Sequence, residues 1–399
     1  MSARTDALLS AQAVRSHCAQ IMALAERDAA PHFRLHLQQL PAAAAYVAGT
    51  IRERYPDLDV PYHSRWRHFE SGGADRWAQL ASLHRLEGAE RARTRIDLVI
   101  PSVLLDAGAG PDWSYRDSGG MTLSRSEGLG VASLDLFAGG ALSDDVHTPL
   151  RADAAALSRM TEGGLAQAFQ VSADNPLVGV AGRAALLQRL GAAIAAAPDV
   201  FGAPARVGNL YDTLAARAVD GHIAAATVLE VLLHTLGPVW PGRMECDGVS
   251  LGDCWRHPGT DDGLVPFHKL TQWLTYSLLE PLEEAGLTVT GLDALTGLPE
   301  YRNGGLLLDF GVIAPRDPSF FQRLLAVDEP AVVEWRALTV ILLDRIAVAV
   351  RAELGVSAAQ FPLARILEGG TWAAGRRIAA ERRAGGAPPV SIASDGTVF

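Results

Sequence analysis

One ammonium stands among the cations of this chain. Lys269, in the stretch GLVPFHKLTQWLTYSLLEP, is its one lysine, although lysine and arginine together number 35. Alanine runs such as PAAAAYVAG and GAAIAAAP point to a compositional pressure that exchanges lysine for arginine wherever either cation serves. Arginine is always charged and presents a planar fork, whereas lysine is a compact charge whose pKa falls on burial. A retained lysine is therefore either a survivor of chance or a group whose position requires an ammonium, for proton transfer or for a point contact with an anion. Its neighbours favour the second. Lys269, Gln272 and Tyr276 fall on one helix face at steps of three and four, and Phe267, Leu270, Leu274 and Leu278 on another. A lone cation beside an amide and a phenol on an otherwise apolar helix predicts a cavity wall rather than open solvent. Further along, LTGLPEYRNGGLLLDFG crowds Glu300, Tyr301, Arg302 and Asn303 between Pro299 and Gly304-Gly305. Either this is a capped surface turn with a Glu-Arg pair, or Glu300 is a carboxylate held near Lys269.

The elements that must position these groups are helices. DALLSAQAVRSHCAQIMALAERD, VAGRAALLQRLGAAIAAAP, DGHIAAATVLEVLLHTLG and EPAVVEWRALTVILLDRIAVAVRAELG all carry apolar residues at three- and four-residue steps, and strand-like alternation is rare. The Lys269 helix is expected to be entered through Asp261, Asp262 and Pro266 and closed at Pro281. Ser124 with Glu127 has capping-box spacing, Gly139-Gly140 stops that helix, and Asp153 and Ser357 are further candidate caps. The end, GGAPPVSIASDGTVF, reads as a small hairpin about an Asp-Gly turn or as a tail. No linker divides the chain. The expectation is an all-α, mainly helical protein forming a single domain of two packed halves: residues 1-60 as N-terminal helices on the core, 61-356 as the core with the pocket, and 357-399 as C-terminal helices and tail.

Bulk properties limit the partners. A net charge of -10 and a pI near 5.6 disfavour a nucleic-acid partner, and no apolar run approaches the ~18 residues of a membrane span. Cys18, Cys246 and Cys254 are odd in number and scattered, which does not build a disulfide framework, so a reducing, cytoplasmic setting is expected. Cys246, Asp247, Asp253, Cys254 and His257 match no zinc spacing, and no bound metal is expected. Without a Gly-rich loop of Rossmann or Walker type, nicotinamide and nucleoside-triphosphate cofactors are not expected either.

SRWRHFESGG, DLVIPSVLLDAGAGPDWSY, RSEGLGVASLDLF, DGVSLGDCWRH, VPFHKLTQWLTYSLLEPL and LTGLPEYRNGGLLLDFGV together resemble the uracil catabolism protein four family, a component of the uracil-to-urea pathway; the match runs from about Pro61 to Ile313. More distantly, FHKLTQ followed by PEYR is similar to the Phe-Tyr-Lys-x-x-Gln and Ala-Asp-Tyr-Arg pattern of the queuosine-salvage N-glycosidases, helical proteins with a DNA-glycosylase-like fold. The resemblance implies that fold, a ribosyl-binding pocket, and Lys269 and Glu300 at the catalytic positions. Glu300 stands where that family has aspartate, so its carboxylate lies a methylene further from the backbone. The resemblance further implies a pathway in which urea is released from a ribosylurea species by N-glycosidic cleavage.

Such a cleavage passes through an oxocarbenium-like state, so a carboxylate beside C1′ stabilises positive charge and orients or deprotonates water, the part expected of Glu300. Lys269, its pKa lowered by burial, would protonate the leaving urea or hold a substrate phosphate. His63, Trp66, Arg67 and His68 in HSRWRHFESGG suit phosphate or ribose contact, or form a solvated basic turn. Asp174 and Asn175 would bind urea amides or ribose hydroxyls, or cap the helix after Pro176. Asp106 precedes Gly108 and Gly110, where the backbone can approach a ligand. Asp253, His268, Gln272, Tyr301 and Arg302 complete the expected substrate-facing set around the small ribosyl ligand. The competing readings are an amidohydrolase acting on a ring-opened pyrimidine intermediate, for which no metal cluster or G-x-S-x-G is present, and a non-catalytic nucleotide-binding pathway protein.

Overall fold

A computed structural model describes residues 2–106, 108–240 and 244–393 of the 399. The protein is mainly helical. In chain order the helices that matter to the site are α1 (Ala11–Glu26), α2 (Leu40–Arg54), α3 (Trp66–Phe69), α4 (Gly88–Leu104), α5 (Arg125–Ala138), α6 (Val180–Ala195), α7 (Ala225–Leu236), α8 (Lys269–Glu284), α9 (Tyr301–Asp309), α10 (Pro330–Leu354) and α11 (Trp372–Arg382). α10 packs on α1 and α2, α8 on α4, and α9 on α11. Buried apolar side chains run as one connected cluster from Leu8 to Val390. α10 shows why: Val332, Val333, Ala337, Leu338, Val340 and Ile346 are all fully buried, so its apolar residues cover most of its circumference rather than one stripe.

The strands are short and come in pairs. β1 (Phe33–Leu35) is antiparallel to β4 (Ile313–Pro315), and β2 (Cys254–Arg256) to β3 (Leu264–Pro266). β5 (Leu324–Ala326) is parallel to β6 (Ser391–Ala393). The run expected to open a C-terminal hairpin thus pairs instead with a strand far back in the chain; the Asp395-Gly396 turn lies outside the described residues.

Helix boundaries follow local chemistry, with corrections to the expectation. Asp153 accepts from the Ala156 amide at a helix start, and α5 runs from Ser124 to Gly139 as its signals require, although the Ser124 hydroxyl makes no cap bond. Ser357 caps no helix; its hydroxyl and amide hold the Gln360 side chain in a turn. α8 begins later than expected. Asp261 and Asp262 belong to the turn before β3, Pro266 ends that strand, and His268 takes a left-handed conformation (φ 49°) that swings the chain into the helix. Nor does Pro281 close α8. The helix continues to Glu284, because the Ser277 carbonyl that proline leaves without its amide partner accepts the Trp66 indole N–H at 2.8 Å.

Candidate functional site

A cavity of about 540 Å³ opens where α3, the first turns of α8 and α9, and α11 converge. A larger depression of about 1240 Å³ lies elsewhere, along Asp144, Asp153 and Arg206, but several of its charges serve one another: Arg206 lies 2.8 Å from Glu90 and Arg93 holds Asp212. The smaller cavity collects seven of the ionisable groups that the sequence singled out. His63, His68, Asp106, Lys269, Glu300, Tyr301 and Arg302 all line it.

Lys269 is the first residue of α8. Its backbone amide donates to Asp253 Oδ2 at 3.0 Å and its buried side chain enters the cavity. Burial lowers its pKa; the charge of Glu300, the strongest opposing influence, raises it, and Arg336 lowers it again, leaving it below the ordinary lysine value. Glu300 is the N-cap of α9. Its Oε2 accepts from the Arg302 amide and its Oε1 from the Asn303 amide, both at 2.6 Å, so each oxygen is anchored by a backbone donor. Burial raises its pKa, partly offset by those two bonds and by Lys269 and His63. The result is a fixed carboxylate and a softened ammonium in one enclosed space. Of the two alternatives for this turn, the cap is present, but it is made from the cavity lining and through the Arg302 and Asn303 backbone amides, not by a Glu-Arg ion pair on the surface.

The opposite wall is aromatic and imidazole. The His63 ring lies 6.2 Å from Trp273 and 5.9 Å from Trp372, and His68 packs edge-on against the same two indoles. Asp106 is bound by Arg65 Nη1 at 2.8 Å; burial raises its pKa, but Arg65 and His68 bring it below the usual carboxylate range. His68 is depressed to about 4, first by burial and then by Arg65. Unfolded, it protonates below about 6.5, whereas folded it stays neutral to about 4, so the native state loses stability as pH falls through that window. Urea unfolding midpoints at pH 7.5 and 5 are expected to fall further in the wild type than in His68→Gln; equal drops would show that His68 carries no such linkage.

The remaining residues of the expected set lie away from this cavity. Trp66 spends its indole N–H on Ser277, with Arg95 over its ring at 3.9 Å, and Arg67 is paired with Glu70 and Glu280. Gln272 is locked to Thr296 and Phe267, and Tyr276 donates to the Thr296 carbonyl, so that face of α8 points into the core. His268 bonds to the Leu8 carbonyl. Asn175 holds the backbone of Ser114 and Gln170 while Asp174 is exposed; the helix after them starts at Val180 behind Gly179. Asp253 sits beneath α8, gripped by both Arg336 terminal nitrogens.

Sequence reasoning missed Trp273, Trp372, Arg125 and the segment Gly386–Ile392, which line the cavity, Pro389 excepted. Trp273 was within reach, four residues after Lys269 and so on its face. Cys246 and Cys254 do not join His257 in a metal-binding group. Among the described residues the one His/Cys/Asp/Glu group close enough to hold an ion is His32, His257 and Glu334. It does not suit one. The Gly259 amide donates to His257 Nδ1 at 3.0 Å, so Nε2 must carry the ring proton and has no lone pair for a metal.

The fold and this cavity define a mainly helical protein with an enclosed site built around one lysine, one capping glutamate and two histidines. A family model described as protein of unknown function DUF1688 matches residues 7–399, and the chain belongs to that family. Protein urg3 of Schizosaccharomyces pombe is 39% identical over 412 residues, covering 100% of both chains. Uracil catabolism protein 4 of Lachancea kluyveri is 38% identical over 407 residues, covering 92% of each. No helix among the described residues is long and apolar enough to cross a membrane.

Proposed function

We propose that this protein acts in uracil catabolism as an N-ribosyl hydrolase, cleaving the C–N bond of a ribosylurea or its 5′-phosphate to release urea. The names of its relatives support the pathway. The observation that carries the reaction is the pairing of Lys269 and Glu300 in one cavity with opposed pKa shifts. Groups whose surroundings push their pKa values towards each other are suited to moving protons near neutral pH. Glu300, pinned by two amides, supplies a stationary negative charge for the oxocarbenium-like state at C1′. Lys269 supplies a proton to the departing urea nitrogen. The aromatic wall of Trp273 and Trp372 gives the sugar an apolar face to lie against, and Arg125 and Arg302 add positive charge to the lining that favours an anionic substrate.

The test is urea release from synthetic ribosylurea and its 5′-phosphate by the purified chain, beside Glu300→Gln. Wild-type turnover, slowed on the order of 10²-fold or more in the variant, is expected. Ammonia in place of urea would favour the amidohydrolase reading. Saturable binding with no product would favour a nucleotide-binding role.

A further inference from the structure

In the chemistry above Glu300, fixed by two backbone amides, is the charge that stabilises C1′, which leaves the proton of the attacking water to be assigned to another group. From the cavity wall, we propose that His63 is the general base that activates this water, and that Glu368 is the positioning residue that sets its tautomer. The inference rests on the hydrolase reading and names the group that reading lacks.

His63 Nδ1 lies 2.8 Å from Glu368 Oε2, and both side chains are more than nine-tenths buried. Burial raises the Glu368 pKa, but the His63 hydrogen bond and the charges of His63, His68 and Arg54 bring it below its ordinary value, so the group is a carboxylate. A carboxylate can only accept, so Nδ1 must donate. Neutral His63 then has its lone pair on Nε2, the arrangement a base requires. The ring belongs to the cavity lining beside the indoles of Trp273 and Trp372, and its charge acts on Glu300, so it shares the space of the reacting groups.

The fold spends unusual geometry to hold Glu368. Between Leu363–Ile366 and α11 the backbone widens into a π-helical turn, Leu367–Thr371. Such turns are rare and recur at functional sites. Gly369 and Gly370 let this turn close on α2 and the chain after it; a Cβ on either would come within 2.8 Å of Val60 or Val47. Arg54 of α2 donates to the Glu368 carbonyl at 3.1 Å and faces its second carboxylate oxygen at 4.0 Å. Trp372, the first residue after this turn, lies 5.9 Å from the His63 ring.

In the step, a water oxygen bonds to C1′ and passes one proton to His63 Nε2. The C1′–N electron pair leaves with the urea nitrogen, which takes a proton from Lys269. One water is consumed, one urea and one sugar hemiacetal are formed, and proton return from His63 to Lys269 resets the site.

Two readouts on the full chain separate this inference from the reading beneath it. In ¹⁵N-imidazole NMR, with the His63 signals assigned by their loss in His63→Gln, the wild type is expected to show the Nδ1–H tautomer and Glu368→Gln to shift it towards Nε2–H. In turnover, Glu368→Gln is expected to lose kcat on the order of 10²-fold or more with KM little changed, because a mis-set tautomer leaves binding intact. Added imidazole is expected to restore part of the rate of His63→Ala. An Nε2–H tautomer in the wild type, or full kcat in Glu368→Gln, overturns the dyad even when urea is released. The Nδ1–H tautomer with no urea from either compound leaves the geometry standing but overturns the hydrolase reading, and the base role with it.

Discussion

Lys269→Arg is expected to lower kcat for urea release by ~10²–10⁴-fold, about as far as Lys269→Met. The two substitutions remove different things. Methionine removes charge and proton together, whereas arginine keeps the charge and loses only the ability to give the proton up, since its pKa stays above ~12 in proteins. Lys269 is buried with its pKa lowered, the condition under which an ammonium becomes a useful acid at neutral pH. If Lys269→Arg instead kept wild-type kcat while Lys269→Met did not, the side chain would be a plain cation, and a selective loss on the phosphorylated substrate would mark it as the phosphate ligand. Steady-state kinetics on both substrates reads all of this. The expected outcome also gives a reason for the one lysine in a chain whose lysine and arginine together number 35.

The largest expected loss of stability comes from a residue outside the cavity. Asp253 accepts from Arg336 Nη1 at 2.9 Å and Nη2 at 2.8 Å, from the Trp255 indole at 2.6 Å and from the Lys269 amide at 3.0 Å. Arg336, 1% exposed, also lies 4.0 Å over the Phe267 ring. Asp253→Asn leaves that guanidinium without its counter-charge in the core, which costs ~3–5 kcal/mol; the double variant Asp253→Leu/Arg336→Met is expected to cost less than the single one. Urea unfolding midpoints check both. A single-variant loss below about 1 kcal/mol would show that water or relaxation solvates Arg336. The pH sign follows. Burial opposes ionisation, but Arg336 holds the carboxyl at about 2, below its free value of 3.8. The stabilisation is therefore complete above pH 3.8 and lost as pH falls towards 2, and this part of the wild-type acid limb is expected to vanish in Asp253→Asn.

What the sequence made legible, and what it hid, divides along sequence separation. The helices announced themselves through local periodicity, and Lys269 and Glu300 through composition and a crowded turn. His63 and His68 came from one dense loop, although the same loop's Trp66 and Arg67 turn away, because a four-residue helix sends successive side chains to different neighbours. Gln272 was placed one step wrong for a physical reason: steps of three and four are equally good on an isolated helix, and Thr296, on another element, fixes Gln272 in the core while Trp273 lines the cavity. Asp253 meets Arg336 across 83 residues and Glu368 meets His63 across 305, and no local pattern marks either pair. Pro281 looked like a stop because the indole that replaces its missing donor lies 215 residues upstream, at Trp66.

One wall of the cavity is drawn from Gly386–Ile392, fastened by the parallel pairing of β5 with β6. These residues leave the ribosome after every other lining residue. During synthesis the chain can pack α1, α4 and α8 while its pocket still lacks a side, so no ligand can yet bind tightly and lend its binding free energy to folding. Occupancy and folding are thereby separated in time: the scaffold must stand on its own packing first, and substrate can act as a stabiliser only on a finished molecule.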